Sequence, residues 1–344
     1  MRIIFDLRKV GLGNNGGSLT LVKSGNTLVN MGHDVFFIDS GRNQHTWTGL
    51  KARHMIVKNV DQIPDAQMII ATGYKSVAPT LNAPSRCGIK AHWIRGWETW
   101  QMPEKEIVKK ILKVPTLKLV NSFCLQSKLK KYNVDSTIIR PGYDLDEIYP
   151  LSRTEARKNC GYTVVGGLYT EGKHISIKRT KWIFDVAENL KKRYKNILLF
   201  MFGAPKRNTI PGVDVYFNNP TKEDKLRFYN QIDFWLAPAS QEGLHMPPAE
   251  AMMTGCPVVA TNAEMSGTQD YMVDEVTGLI SKNNFKDFLK CSSMLCSDQN
   301  LRKKLGREAR KKIEELGDRK QNMQKLIDLI AEKNYGNIRH ATHF

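Results

Sequence analysis

The segment from Phe234 to Ala260 narrows the possible folds more than any other part of this chain. A strand-length apolar run, Phe234-Trp-Leu-Ala-Pro238, leads into a loop that carries Glu242, Gly243, Leu244 and His245. The loop enters a helix at Pro247-Pro248, where proline is tolerated because first-turn N–H groups have no intrahelical acceptor. The small-residue run Ala251-Met-Met-Thr stops at Gly255, and Pro257-Val-Val-Ala260 opens a second β-branched strand. Strand, loop, helix and strand in this order belong to an α/β chain. The two carboxylates, Glu242 and Glu250, flank the helix start. Amides at a helix start favour an anion and glutamates grip hydroxyls, so the segment reads as a site for a ligand with both phosphate and polyol, a nucleotide-sugar. A surface loop that happens to carry two glutamates would have the same outline.

At 344 residues the chain exceeds one usual core and predicts two domains. It is 41% hydrophobic and 25% charged, which excludes a disordered chain. The most apolar segments, such as Ile197-Leu-Leu-Phe-Met-Phe202, are strand-length, far short of the ~20 residues that cross a bilayer. Met1-Arg-Ile-Ile-Phe-Asp6 reads as a charged first strand and not as a signal peptide. The six cysteines are scattered without a CxxC pair, so a reducing, cytoplasmic setting is expected, without zinc or disulfides. The net charge of +18 implies an anionic partner: nucleic acid, an anionic membrane surface, or an acidic glycan or lipid-phosphate acceptor. Residues 1–150 hold 21 basic and 12 acidic side chains, half of the excess, so the charge is no appended tail. No zinc-finger, RNP or recognition-helix pattern accompanies it, which leaves nucleic acid as the weakest partner.

The first half alternates strands and helices: Arg2–Asp6, a glycine-rich turn ending in Gly16-Gly17, a helix over Ser18–Met31, and strand Val35–Ile38. Further strands are expected at Gln67–Ala71, Gly88–Ile94 and Leu117–Val120. This order predicts a doubly wound parallel sheet with ligands beyond the C-terminal strand ends. The Gly16-Gly17 turn can bring backbone amides to a pyrophosphate, although such turns are also mere tight connections. His92, Arg95 and Glu98 share a short segment with Trp93, Trp97 and Trp100. Aromatic faces with polar fixings suit a sugar, and they equally suit core packing. Residues 103–113 have helical spacing, with apolar positions at 107, 108, 111 and 112 and lysines around them.

The full string Ser240-Gln-Glu242-Gly243, Pro248-Ala-Glu250-Ala-Met and Gly255-Cys-Pro257-Val-Val resembles the E-x7-E signature of retaining glycosyltransferases of family GT4, which have the GT-B fold. Gly16-Gly17 with Gly32-His33-Asp34-Val35 resembles that family's first βαβ unit, and Thr268-Gln-Asp270-Tyr and Thr277-Gly-Leu-Ile280 resemble its closing segments. The resemblance covers nearly the whole chain. It implies two Rossmann-like, doubly wound parallel-sheet domains facing a cleft: an acceptor-side domain at 1–150, a nucleotide-sugar domain at 151–316, and a terminal stretch, 317–344, crossing back. Asp144-x-Asp146 is formally a metal-binding DxD, but its context resembles the family's interdomain junction.

The resemblance further implies transfer of a sugar from a UDP-, GDP-, ADP- or dTDP-sugar to a hydroxyl of a glycan or lipid-linked acceptor. Anomeric configuration is retained, with neither metal nor cofactor. Glu250 is expected on the ribose hydroxyls, and Glu242 near the donor sugar with Gly243, Leu244, His245 and Met246. Gly16 and Gly17 are expected to face the donor diphosphate, and His92, Arg95 and Glu98 the acceptor, with His92 beside the reacting sugar. The family's diphosphate-binding Gly-Arg pair is Gly166-Gly167 here, so that arginine is missing. Lys178 is the expected replacement, with Lys173 and Arg179 as rivals. Glu242, His92 and Lys178 thus form the expected catalytic set. Basic apolar elements such as 103–113 touch membranes in relatives, so peripheral contact with the inner face of a membrane is a further expectation. A non-catalytic glycan- or nucleotide-binding subunit and a sugar-nucleotide epimerase are the alternatives on the same fold.

Overall fold

A computed structural model describes residues 1–41, 48–99, 101–152, 161–172 and 175–341, with side chains up to 334. Packing divides the chain into two units, one of residues 1–142 with 318–344 and the other of residues 143–317.

In the first unit, seven parallel strands are β1 (Arg2–Asp6), β2 (Asp34–Asp39), β3 (Arg53–Ile56), β4 (Met68–Ala71), β5 (Ile89–Ile94), β6 (Leu117–Val120) and β7 (Thr137–Ile138). Their order is β3-β2-β1-β4-β5-β6-β7. Ile3, Ile4 and Phe5 are fully buried, because helices cover both faces of such a sheet. Ile3 and Phe5 point into one core and Ile4 into the other, as strand alternation requires. The helix Gly16–Asn30 lies close to β2, since a Cβ at Gly25 would sit 2.5 Å from the Phe37 ring. The terminal helix Arg319–Ala341 brings Met323, Leu326, Ile327 and Ile330 into the core of Ile3 and Phe5.

The first crossing between units falls at Gly142, eight residues before the expected 150, and the second at Gly317. Tyr143 and Ile148 are already core residues of the second unit. Gly142 has φ +78°, and a Cβ there would lie 2.4 Å from the Arg319 Cα, so only glycine lets the two chain passages run side by side. The expected helix at 103–113 forms as Glu104–Ile107 running into a π-helical turn, Val108–Leu112. Ile107, Ile111 and Leu112 are buried, so its apolar side is already covered. Among the described residues, no helix is long and apolar enough to cross a membrane.

Among the described residues, the second unit has six parallel strands: β8 (Thr163–Leu168), β9 (Ile197–Gly203), β10 (Val215–Asn218), β11 (Phe234–Ala237), β12 (Val258–Thr261) and β13 (Gly278–Ser281). They are ordered β10-β9-β8-β11-β12-β13. The order reverses direction between β8 and β11. At such a switch point the connections leave to opposite sides, and a crevice opens beyond the C-terminal strand ends.

Candidate active site

The loops that leave β8 and β11 flank this crevice and carry the expected donor residues. The β11 loop is held by a parallel bridge from Gln241 to Met265. The Glu242 N–H donates to Met265 O at 2.6 Å, and the His245 N–H to Gly267 O at 3.2 Å. Gly267 has φ +73°, and a Cβ there would meet the Glu242 Cβ at 2.8 Å and the His245 nitrogen at 3.0 Å. Tyr271 donates its hydroxyl to His245 O at 2.5 Å. The helix Met246–Met253 then starts with Pro247 and Pro248 in its first turn. Neither proline has an N–H, so Met246 alone among the first three helical residues has an amide to offer an anion.

The stretch after β8 carries the candidate cations Lys178 and Arg179. The short helix Ile175–Lys178 ends at Arg179, whose φ of +52° is left-handed and turns the chain into the helix Thr180–Arg193. Ser240 donates its N–H to Ile177 O at 2.8 Å, tying this turn to the β11 loop. Lys178 Nζ consequently pairs with Glu242 Oε1. The rival Arg179 stacks over Trp182, 4.5 Å from the ring centre, and reaches Asn283. Lys173 lies outside the described residues. Gly166 and Gly167 are buried in β8, and a Cβ at Gly167 would meet Ile183 Cγ2 at 2.8 Å. Close packing of helix on strand therefore occupies the space where a longer residue at 167 would begin.

His245 places Nε2 3.4 Å from Glu242 Oε1. Burial holds its pKa down to about 4, against the attraction of Glu242 and reinforced by the charge of Lys178. The imidazole is therefore neutral at neutral pH.

Glu250 meets two residues that the sequence reading did not single out. Lys225 Nζ lies 2.7 Å from Oε1 and 2.6 Å from Oε2. Tyr229 donates its hydroxyl to Oε2 at 2.7 Å. Burial first, then the charge of Glu250, pushes the Tyr229 phenol well above its ordinary value, so it stays a donor. Both residues belong to the helix Lys222–Gln231, and their spacing of four, which puts them on one face, is the signal that could have found them.

The expected donor-side glycines, Gly16 and Gly17, and the expected acceptor-side residues come together within the first unit. Gly16 and Gly17 open the helix Gly16–Asn30, capped by Asn15 accepting from the Ser18 N–H at 2.9 Å. Arg95 donates to Gly17 O through Nη1, and to Thr72 O through Nη2 at 2.8 Å, joining the loops after β1, β4 and β5. Glu98 accepts from Gln101 at 2.5 Å and lies 3.5 Å from the Tyr74 nitrogen. His92 is fully buried in β5 with the Tyr74 ring edge-on at 5.8 Å, and neither ring nitrogen has a hydrogen-bond partner among the described residues. Its burial, with Lys118 and Arg95 adding repulsion, lowers its pKa to about 3. Of the tryptophans, Trp93 is core, donating to Ile139 O at 3.0 Å, and Trp97 stacks on Tyr132. Trp100 lies outside the described residues.

Residues 175–312 match the family model described as "Glycosyl transferases group 1", a span that includes Lys178, Glu242 and Glu250. The capsular polysaccharide biosynthesis glycosyltransferase CapM of Staphylococcus aureus is 28% identical over 151 residues, 40% of this chain and 39% of that protein. The match therefore spans about two-fifths of this curated relative's length. Among solved structures, the sucrose-phosphate synthase of Thermosynechococcus elongatus superposes with a TM-score of 0.75 at 15% identity, covering 99% of this chain and 100% of that one. The Anabaena protein HepE, solved with UDP and glucose, gives 0.75 at 13% identity over 96% of this chain and 100% of that one. Two parallel-sheet units of this topology, with these neighbours, make the fold GT-B. The stretch 175–312 is thus similar to the group 1 glycosyl transferases.

Proposed function

We propose that this protein is a retaining glycosyltransferase that moves a sugar from a nucleotide-sugar to a hydroxyl of a glycan or lipid-linked acceptor. The observation that carries the reading is the Lys178–Glu242–His245 cluster beside a helix start at the switch point between β8 and β11. A departing nucleotide diphosphate gathers negative charge in the transition state, and a placed ammonium stabilises it. Lys178 is that cation, held in place by Glu242 until the phosphate competes for it. Glu242 and the neutral His245 hold hydroxyls of the donor sugar, and Glu250 holds the ribose. The acceptor hydroxyl attacks on the face from which the diphosphate leaves, and a phosphate oxygen takes its proton, so the reaction uses no metal or cofactor. Within the first unit, Arg95 and Glu98 are the acceptor-side candidates, and His92 is one only if its full burial is relieved. A reducing, cytoplasmic setting, with contact at the inner face of a membrane for a lipid-linked acceptor, completes the reading.

UDP is the first nucleotide to test, because HepE was solved with UDP and with UDP-glucose. Thermal-shift measurements against UDP, GDP, ADP and dTDP are expected to single out one base, since a ligand that binds only the native state raises its melting temperature. The matching sugar donors, offered with an acceptor panel, should give a product with the donor's anomeric configuration, at a rate that EDTA does not change. Saturable donor binding without transfer or hydrolysis would favour a binding subunit, and conversion of donor without acceptor an epimerase. No shift with any of the four would overturn the donor-site reading.

A further inference from the structure

The helix Gln299–Leu316 carries seven Lys or Arg residues against three Glu, and part of that excess is gathered on one face. Lys303, Arg307 and Lys311 follow one another at a spacing of four, so they form a row about 12 Å long. All three are exposed, and none has an ion-pair or hydrogen-bond partner among the described residues. Arg310 beside them is committed to the fold: Nη1 donates to Met253 O at 2.5 Å, and Nη2 pairs with Glu314 at 2.8 Å. The row lines a groove of about 670 Å³ together with Pro150 and Gly255. Gly306 sets the helix hard against the Gly255 carbonyl, where an added Cβ would collide, so the row is fixed beside the turn that precedes β12.

The chain next to this row turns apolar side chains outward. Asn230 accepts from the Leu151 N–H at 2.7 Å and donates to Tyr149 O at 2.9 Å, which clips the backbone on both sides of Pro150. Tyr149 and Leu151 are nevertheless 39% and 40% exposed, large side chains held out by a pinned backbone. Leu151 and Lys303 line a second groove that meets the first at Gly255, so the apolar pair and the cationic row share one surface. Unpaired cations attract any polyanion, but a soluble one has no apolar phase for a tyrosine and a leucine to enter. We infer that this face of the second unit docks on an anionic lipid surface, with Lys303, Arg307 and Lys311 on the headgroups and Tyr149 and Leu151 at the apolar boundary. Peripheral binding grows with buried apolar area and with attraction to anionic lipid, and this face supplies both. Gly255 lies at the N-terminal strand ends, whereas the donor loops follow the C-terminal ends, so docking leaves the donor crevice open. The inference rests on the membrane contact within the proposed function, and it moves that contact from residues 103–113, whose apolar side is covered, to the second unit.

Flotation of the full chain with vesicles tests it. The protein should float with vesicles of equimolar phosphatidylcholine and phosphatidylglycerol, and not with phosphatidylcholine alone. Lys303→Gln/Arg307→Gln/Lys311→Gln should weaken binding about fivefold per cation, on the order of 100-fold in all. The same charge change on the first unit, Lys105→Gln/Lys109→Gln/Lys110→Gln, should cost a small fraction of that. Tyr149→Ser/Leu151→Ser should weaken vesicle binding several-fold and leave binding to a soluble oligonucleotide unchanged, because that partner meets only the charge. Melting temperatures establish that each variant is folded. No flotation of the wild type with either vesicle would overturn membrane contact itself. Flotation that survives the triple variant, or that falls as far with the first-unit lysines, would overturn only this docking face. Unchanged vesicle affinity in Tyr149→Ser/Leu151→Ser would make the row a site for soluble polyanions and end the lipid assignment. None of these failures touches the donor site, which nucleotide binding tests separately.

Discussion

Lys178 and Glu242 stand 64 residues apart in the chain and form an ion pair across the loops that follow β8 and β11. Their side chains are 25% and 14% exposed, so a ligand reaching this pair meets a charge with little water around it. Lys178→Met removes the cation that pairs with Glu242. Turnover is expected to fall on the order of 10²-fold, as when a single transition-state donor is deleted. Steady-state kinetics of sugar transfer check this, and an unchanged kcat would remove Lys178 from the reaction.

Gly267 shapes the same loop from behind. Its φ of +73° is left-handed, and an added Cβ would press on Glu242 and on the His245 nitrogen at 2.8 and 3.0 Å. Gly267→Ala should cost about 1–2 kcal/mol from the backbone conformation alone. The displaced Glu242 should raise the donor KM as well. Urea denaturation and donor titration measure the two effects, and wild-type values in both would show that the loop needs no close approach there.

His245 titrates near 4 in the native protein, against an ordinary value of 6.5. As pH falls through this window the unfolded chain binds a proton that the native state refuses, so stability is present above 6.5 and is lost on the way down to 4. The full loss is about 3 kcal/mol for such a shift. His92, held near 3, adds a loss of the same sign that continues to lower pH. Denaturation curves across this range should show stability falling with acid, and His245→Asn should flatten the fall between about pH 6.5 and 4.

His92 is buried with both ring nitrogens unpartnered among the described residues, a state that costs roughly 1–3 kcal/mol for a polar group. His92→Leu is therefore expected to hold or raise the melting temperature. In that folded variant, a drop in transfer rate would assign His92 to the reaction, and an unchanged rate would make it a residue of the core.

Much of this arrangement was legible in the sequence, because it is carried by local pattern. Strand and helix periodicity placed Arg2–Asp6 and Leu117–Val120 at their observed bounds. The Gly/Pro punctuation from Glu242 to Pro257 gave the loop, the helix and the following strand. Contacts that depend on distant partners were legible only in part. Lys173, Lys178 and Arg179 are alike in sequence, and only the left-handed turn at Arg179 with the Ser240–Ile177 bond sends Lys178 to Glu242. The close approach of Gly142 to Arg319, far along the chain, was likewise invisible to local pattern.

The sequence by itself determined the α/β class, the two parallel sheets and the residues that flank a helix start, since these follow from spacing along a few turns or strands. Only the tertiary structure decided which of those residues meet. Strand order brings the end of β8 beside the end of β11, and packing of the helix Lys222–Gln231 sets Lys225 and Tyr229 on Glu250. Such contacts depend on which elements become neighbours, and the pattern within one element does not encode its neighbour.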